Sequence, residues 1–505
     1  MKKFFTLISV IAAAFAAVSC LTEDPNAVVS PYTFFQTKTQ IRAAVNGCYD
    51  PLNSIHELRL YEGIEGATDL AMTPNSAQPD AKMDISPARP GAGANVWQYC
   101  WVGIRYCLST LAGIDRSSLG ESDKSPYAVE TRILLSYYYY LLTCNFGDVP
   151  FYEGYVESEE DMLRIAKLGR MSAVTTRQTL IDELKLCVPT LPQIRTCDQE
   201  YNYCGAAMGW MMIAKLAAWN KDWDNVIYAC EHLEDMYGDL NQYPYSDVCF
   251  RNKHTPESIF EINHEYEEGG IDYVPLWNLS ISAVVLPYRT DKDKEGDKNG
   301  GCLFDGVPIP EVGNKAYSWR PLKPTNYMKA SILPSGTGDI RRDFNFATSW
   351  HGVKFTSTWM GHKFWCFNIY QNKDNNNYKI FRYADALLLL AEAWCEKGNY
   401  SKSVEYLNRV RERAEITPYA FVGYVKLRGE IRDERARELF GEWGRKYDLV
   451  RWGIWYDQVL AYNTYGNVQA NIRPCHEYYP IPDVQCQRTG RILSNPEYEK
   501  YNLTD

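Results

Sequence analysis

The sequence predicts a mostly α-helical protein whose paired helices pack against a loop-rich lobe with a few short strands. Three observations predict it. Long runs keep apolar residues at helical spacing, among them Val129–Asn145, Met208–Asn220 and Ala384–Lys397. Between residue 243 and roughly residue 380 that pattern stops, and Pro, Gly, Asn and Trp rise. The chain has 505 residues, well past the roughly 250–300 that one core usually serves, so two lobes or one large helical assembly are expected.

Composition removes several classes. With 46% hydrophobic and 23% charged residues the chain is neither disordered nor a multi-span membrane protein. Its net charge of -10 argues against nucleic acid, which demands concentrated basic residues. Tyr 38 and Trp 14 against Phe 18 favour rings with a polar handle, suited to half-wet surfaces.

The elements follow in chain order. Residues 1–19 read as an export signal: Met1-Lys2-Lys3, then an apolar stretch from Phe4 to Val18 that is too short to span a bilayer. Its end, Ala16-Ala17-Val18-Ser19-Cys20, resembles a bacterial lipobox, so the mature chain is expected to start at a lipid-bearing Cys20 and be anchored without spanning. Residues 20–505 are read as one domain. The acidic Glu23-Asp24 that follows resembles the surface-display signal of Bacteroidetes-type lipoproteins. The other fourteen Cys form no CxxC pair and several lie in apolar helical runs, so buried free thiols are favoured over zinc or disulfides, with Cys475–Cys486 and Cys197–Cys204 as the conceivable bridges.

Val129–Asn145 is apolar all round, as in a buried helix, and stops at Gly147 with Pro150 beyond. Met208–Asn220 with Asp222–Met236, and Ala384–Lys397 with Tyr400–Ala414, read as two helix pairs joined by tight turns. A small residue and a Trp close each first helix (Ala218-Trp219, Ala393-Trp394), and an aromatic opens each second (Trp223, Tyr400), which resembles the tetratricopeptide hairpin. In the lobe, mainly residues 243–380, Ser258–Ile262 and Ala283–Leu286 read as strands. Loops on a rigid scaffold commonly carry function, so a ligand site is sought there.

Ordered motifs along nearly the whole mature chain carry a resemblance. Ala43-Ala44-Val45-Asn46-Gly47-Cys48-Tyr49, the Tyr137–Tyr140 run followed by Asn145-Phe146-Gly147-Asp148-Val149-Pro150, Glu257–Ile262, Phe381–Ala393, Leu407–Arg411, Ile431–Leu439, Tyr447–Gly453 and Tyr479-Pro480-Ile481-Pro482 together resemble the SusD/RagB family of nutrient-binding lipoproteins. One departure is local: Glu442-Trp443-Gly444-Arg445 stands where the family commonly has Glu-Gly-His-Arg. The resemblance implies a SusD-like fold with four tetratricopeptide-like helix pairs packed against the lobe. It implies a cell-surface, outer-membrane lipoprotein that captures oligosaccharide for a partner SusC-like TonB-dependent transporter. Peptide capture for a peptide-importing transporter is the alternative, and a plain tetratricopeptide scaffold a further one.

Enzyme readings fare poorly. Glu434 and Glu438 lie one helical turn apart, but among Arg432, Arg435 and Arg437 they read as an ion-paired face, and glycosidase carboxylates must face each other across a sugar. No GxSxG or HExxH occurs. Asp291, Asp293, Glu295 and Gly296 imitate half of a calcium loop, yet its twelfth position is Cys302, so no metal or cofactor is expected and calcium in 291–302 is only a side reading. Ligand binding therefore rests on aromatic platforms for the apolar faces of sugars and polar groups for their hydroxyl rims. The lobe candidates are Tyr273, Trp277, Tyr288, Tyr317, Trp319 with Arg320, Trp350, Trp359 and Trp365, with Trp277 and Trp319 foremost, and core burial is the competing reading for each. Asn75, Gln78, Asp80 and Arg89, in the loop from Thr73 to Asn95, would supply rim hydrogen bonds.

Overall fold

A computed structural model describes residues 34–264, 281–296, 302–318, 321–371 and 373–503. Cys20, Tyr273, Trp277, Trp319 and Arg320 lie outside the described residues. The main helices are α1 (Lys38–Gly47), α2 (Gly93–Arg116), α3 (Glu121–Phe146), α4 (Ala173–Cys187), α5 (Ala206–Asn220), α6 (Trp223–Tyr237), α7 (Tyr383–Glu396), α8 (Tyr400–Arg413), α9 (Tyr424–Glu438) and α10 (Arg445–Arg451). Helices pack in sequence-adjacent pairs, α2 on α3, α5 on α6 and α7 on α8, with α4 against α3 and α5, and α9 against α7 and α8. The mostly helical fold with tetratricopeptide-like pairing is therefore present.

The two pairs foreseen from the sequence share one turn. α5 ends at Lys221, at φ +58°, and α7 is followed by Gly398, at φ +79°. An Asx residue then caps the next helix: Asp222 accepts from the Asn225 N–H and Asn399 from the Lys402 N–H. A left-handed residue followed by an N-cap reverses the chain in the fewest residues, which keeps the paired helices adjacent.

α3 is buried on every side from Val129 to Phe146, except at Arg132. Three hydroxyls of the tyrosine run have partners there: Tyr137 with His56 at 2.8 Å, Tyr138 donating to the Cys48 carbonyl at 2.6 Å, Tyr139 to that of Tyr152 at 2.9 Å. α2 approaches closely because Gly103 lies flat against the Tyr138 ring, where an added Cβ would come within 2.2 Å of the ring. Gly103→Ala must push two packed helices apart, and a loss of about 1–3 kcal/mol is expected in urea unfolding. An unchanged midpoint would show that the ring simply rotates away.

The lobe is short and irregular. β1 (Ser258–Ile262) pairs antiparallel with β4 (Tyr378–Arg382), while β2 (Phe346–Trp350) and β3 (Val353–Met360) form a hairpin turned by His351 at φ +45° and Gly352 at φ +79°. Ala283–Leu286, expected as a strand, is instead a buried helical turn, Ser282–Val285, whose Val284 and Val285 N–H groups return to the Ile281 carbonyl. A short apolar run has no period to separate the two states. All fourteen described cysteines are free, most of them buried. At the motif departure, Trp443 adopts φ +64°, a conformation ordinary for glycine; its ring is held among His56, Tyr61 and Tyr378 at centroid distances of 5.1, 5.0 and 5.1 Å.

Glu434 and Glu438 are more deeply committed than a surface ion-paired face. Both are fully buried, and most of their partners come from other elements: Arg341 reaches Glu434 at 2.7 Å and Glu438 at 2.9 Å, and Arg382 reaches Glu438 at 2.6 Å. Burial opposes ionisation of Glu438, but Arg413, Arg382 and Arg341 override it and hold the carboxyl well below the usual range. A carboxylate locked among guanidinium groups away from solvent cannot exchange a proton with a substrate.

Candidate ligand-binding site

The lobe candidates that the structure brings together are Tyr288, Tyr317 and, at the far end of the same strip, Trp350. The strip exists because the chain from Glu311 to Tyr317 lies along the chain from Asn368 to Gln371. Asn368 N donates to the Glu311 carbonyl at 2.9 Å, Ile369 N to Val312 at 2.8 Å, and Tyr317 N to Gln371 at 2.6 Å. Gly313, at φ +94°, is what permits this approach, since a Cβ there would lie 2.9 Å from the Ile369 carbonyl oxygen.

A third strand of chain joins at one end. Arg289 donates to the carbonyls of Ala316 and Asn314, and Ser318 Oγ donates to Leu286 at 3.0 Å, which sets Tyr288 beside the Tyr317 segment. Tyr288 is 37% exposed and Tyr317 40% exposed. The Lys294 ammonium sits 5.5 Å from the Tyr317 ring centroid, and Lys315 sits 4.7 Å from that of Tyr370. Hydrogen bonding and charge from Asp291 raise the Lys294 pKa, so it stays cationic.

At the other end Trp350 is half-buried. Its Nε1 donates to Glu311 at 3.2 Å, its ring lies 4.9 Å from Trp365, and His351 also bonds Glu311. Burial works against ionisation of Glu311, but His351, the backbone and the Trp350 indole hold it below the usual carboxylate range. The arrangement offers exposed ring faces flanked by cations at one end and a carboxylate at the other, a ledge suited to apolar faces with polar rims.

Other candidates are placed elsewhere. Trp359 is 3% exposed: opposite Ala347 in the hairpin, it donates Nε1 to Asp305 at 3.2 Å and lies under the Lys323 ammonium, 4.1 Å from its ring centroid. It is scaffold, and so is Trp365, which is fully buried. Arg89 is exposed but pairs with Asp84 at 2.9 Å, in a turn tied to the C-terminal segment through Asp483 N to the Pro87 carbonyl. Among the described residues no contact joins it to the ledge. Asp80 is buried, accepting from Ala92 N and the Tyr479 hydroxyl, each at 2.9 Å. In the imitation calcium loop Asp293 accepts from Thr290 N at 2.8 Å and from Gly306 N at 3.0 Å, while Asp291 pairs with Lys294. Among the described residues no cluster of three or more metal-binding side chains occurs.

Lys294, Lys315, Glu311 and His351 were not foreseen. Glu311 and His351 are forty residues apart and meet only because the β2–β3 hairpin folds back. No spacing rule could have paired them.

Comparison with known proteins agrees with this architecture. Residues 322–498 match the SusD family. A SusD-like protein P25 of Formosa agariphila is 26% identical, covering 95% of this chain and 96% of its own. Surface glycan-binding protein A from Bacteroides uniformis shares 21% identity with a TM-score of 0.70, covering 91% of this chain and 99% of its own. The Bacteroides thetaiotaomicron protein of that name, solved in complex with laminarihexaose, shares 19% identity with a TM-score of 0.68, covering 90% of this chain and 99% of its own. The ordered motifs, the paired helices and these likenesses along almost the full length converge on a SusD/RagB-type protein: residues 322–498 match the SusD family, and nearly the whole chain is similar to SusD-like proteins.

Proposed function

We propose that the protein is a non-catalytic glycan-binding lipoprotein of the cell surface. It is anchored in the outer membrane through Cys20 after removal of residues 1–19, with residues 20–505 as one domain. It captures an oligosaccharide on the lobe and passes it to a SusC-like TonB-dependent transporter. The observation that carries the binding role is the ledge on which Tyr288 and Tyr317 stay exposed while neighbouring lobe aromatics are buried. The laminarihexaose complex of a structural neighbour supports a neutral glycan as the ligand class. Among the described residues no helix is long and apolar enough to cross a membrane.

The test is calorimetric titration with laminarihexaose and a panel of plant, host and microbial oligosaccharides. Tyr288→Ala with Tyr317→Ala is expected to weaken binding at least tenfold, about 1.4 kcal/mol, leaving the unfolding midpoint unchanged because both rings face solvent. Undiminished affinity in the double variant would remove the ledge from the site. Saturable binding of peptides and of no glycan would replace the ligand class.

A further inference from the structure

A second place on the molecule combines rings with hydroxyl-matching groups, and it shares no residue with the ledge. A cleft of about 480 Å³ opens where the end of α1, the helix Asp50–Ile55, the loop 199–204 and the end of β1 meet. That volume falls within the roughly 300–1,000 Å³ of small-molecule sites. Its wall includes Asn46, Asn53, Tyr201, Asn202, Tyr203 and Asn263.

The rings are held in place before any ligand arrives. The Arg42 guanidinium lies 3.8 Å from the Tyr203 ring centroid and is fixed by Glu130 through two bonds of 2.9 and 2.8 Å. Glu130 also accepts from the Tyr49 hydroxyl at 2.7 Å, and that hydroxyl accepts from Cys204 N at 2.9 Å, which pins the loop. Tyr203 N donates to the Tyr201 carbonyl at 2.9 Å. The two rings stand 5.5 Å apart at 42°, forming a corner whose outer member, Tyr201, is 58% exposed.

The charge of the lining selects the ligand. Among the described residues no Lys or Arg lines the cleft, and Arg42, behind Tyr203, is committed to Glu130 and to the Tyr203 ring. Glu261 in the wall is engaged by Lys379 at 2.9 Å and by Asn377 at 2.8 Å. An anion would find no counter-charge and would meet the Asp50 carboxylate in the wall, whereas the carboxamides of Asn46 and Asn202 each carry a donor and an acceptor for sugar hydroxyls. We propose that this cleft is a second carbohydrate-binding site, taking a neutral sugar unit against the Tyr201–Tyr203 corner.

The full chain labelled with fluorotyrosine tests this, with the Tyr201 resonance assigned by its loss in Tyr201→Phe. Titration with glucose, mannose, galactose, xylose and laminarihexaose is expected to shift that resonance saturably for at least one probe. A uronic acid hexamer is expected to leave it unmoved. Read at Tyr203, Tyr201→Ala should weaken the response at least tenfold, and Tyr288→Ala with Tyr317→Ala should preserve it. The proposal falls if no neutral probe shifts Tyr201, if the anionic hexamer shifts it equally, or if the ledge variant abolishes the shift. Loss at the ledge with the cleft intact, or the reverse, separates the two sites.

Discussion

Arg382→Leu is expected to cost about 3–5 kcal/mol of folding stability, read as a large fall in the urea midpoint at neutral pH. Arg382, 3% exposed, ends β4 and reaches Glu257 at 2.8 Å, Glu438 at 2.6 Å and Glu442 at 2.7 Å, and its NH2 donates to the Glu438 carbonyl at 2.6 Å. Arg413 shares Glu257 and Glu438, Lys363 bonds Glu442 at 2.6 Å, and Arg341 adds Asp339 at 2.7 Å. These groups come from the lobe, from α8, and from α9 and the turn after it, so the network joins the lobe to the helical layers. Leucine fills the space but leaves buried carboxylates short of a partner, and an uncompensated buried charge is far costlier than a lost surface pair. Arg382→Lys should fall between, because the three N–H groups of a compact ammonium cannot replace the bonds that the guanidinium spreads over Glu257, Glu438, Glu442 and the Glu438 carbonyl. A wild-type midpoint in Arg382→Leu would mean that the remaining cations already suffice.

That network also shows which parts of the molecule local sequence could reveal. The helix pairs were legible because their signals are local: apolar spacing, a left-handed residue, an Asx cap. The helix that carries the tyrosine run was legible as buried because Val129–Asn145 is apolar on all sides. The lobe was not legible residue by residue. Trp359 and Tyr317 sit in equally polar, turn-rich stretches, yet one is buried and the other exposed. Trp359 is covered because Asp305 and Lys323, from elsewhere in the chain, close over it. Tyr317 is uncovered because the Glu311–Tyr317 run meets residues 368–371 edge to edge. Burial in such a lobe is decided by non-local partners, which spacing does not encode. The Tyr201–Tyr203 corner escaped for a related reason: it belongs to a connection between helices, away from the segment whose composition drew attention.

The same buried charges set the acid response. Stability is expected to decline gently from about pH 6.5 to about pH 5, then to fall steeply below about pH 4.5. Burial lowers His56 and His476 to about 3 and His362 to about 4, against an ordinary value of 6.5. Between those values only the unfolded chain takes up their protons, so these histidines favour unfolding as the pH drops. Burial does the reverse at Glu65, raised to about 7 from 4.5, and at Asp433, raised to about 6 from 3.8. The folded chain holds their protons in that window, so their contribution grows as the pH falls. The two sets cancel only in part, each proton counting for about 1.4 kcal/mol per pH unit, and the histidines are in excess because His254 and His264 are lowered by burial as well. Below about pH 4.5 nothing offsets Glu257, Glu261, Glu392, Glu434 and Glu438, whose pKa values are all lowered by their cationic partners against the effect of burial. Asp385 and Asp448 join them below 3.8. Their stabilisation is complete above the unfolded values and is lost as the pH falls through them. Urea midpoints measured across this range check the shape, and a decline between pH 6.5 and 5 as steep as that below pH 4.5 would contradict it. Glu65→Gln isolates the compensation: it can keep an acceptor for the Gly444 and Arg445 N–H groups, at 2.7 and 3.0 Å, yet has no proton to hold. In that variant the histidines lose their largest counterweight, and the decline between pH 6.5 and 5 should become steeper than in the wild type.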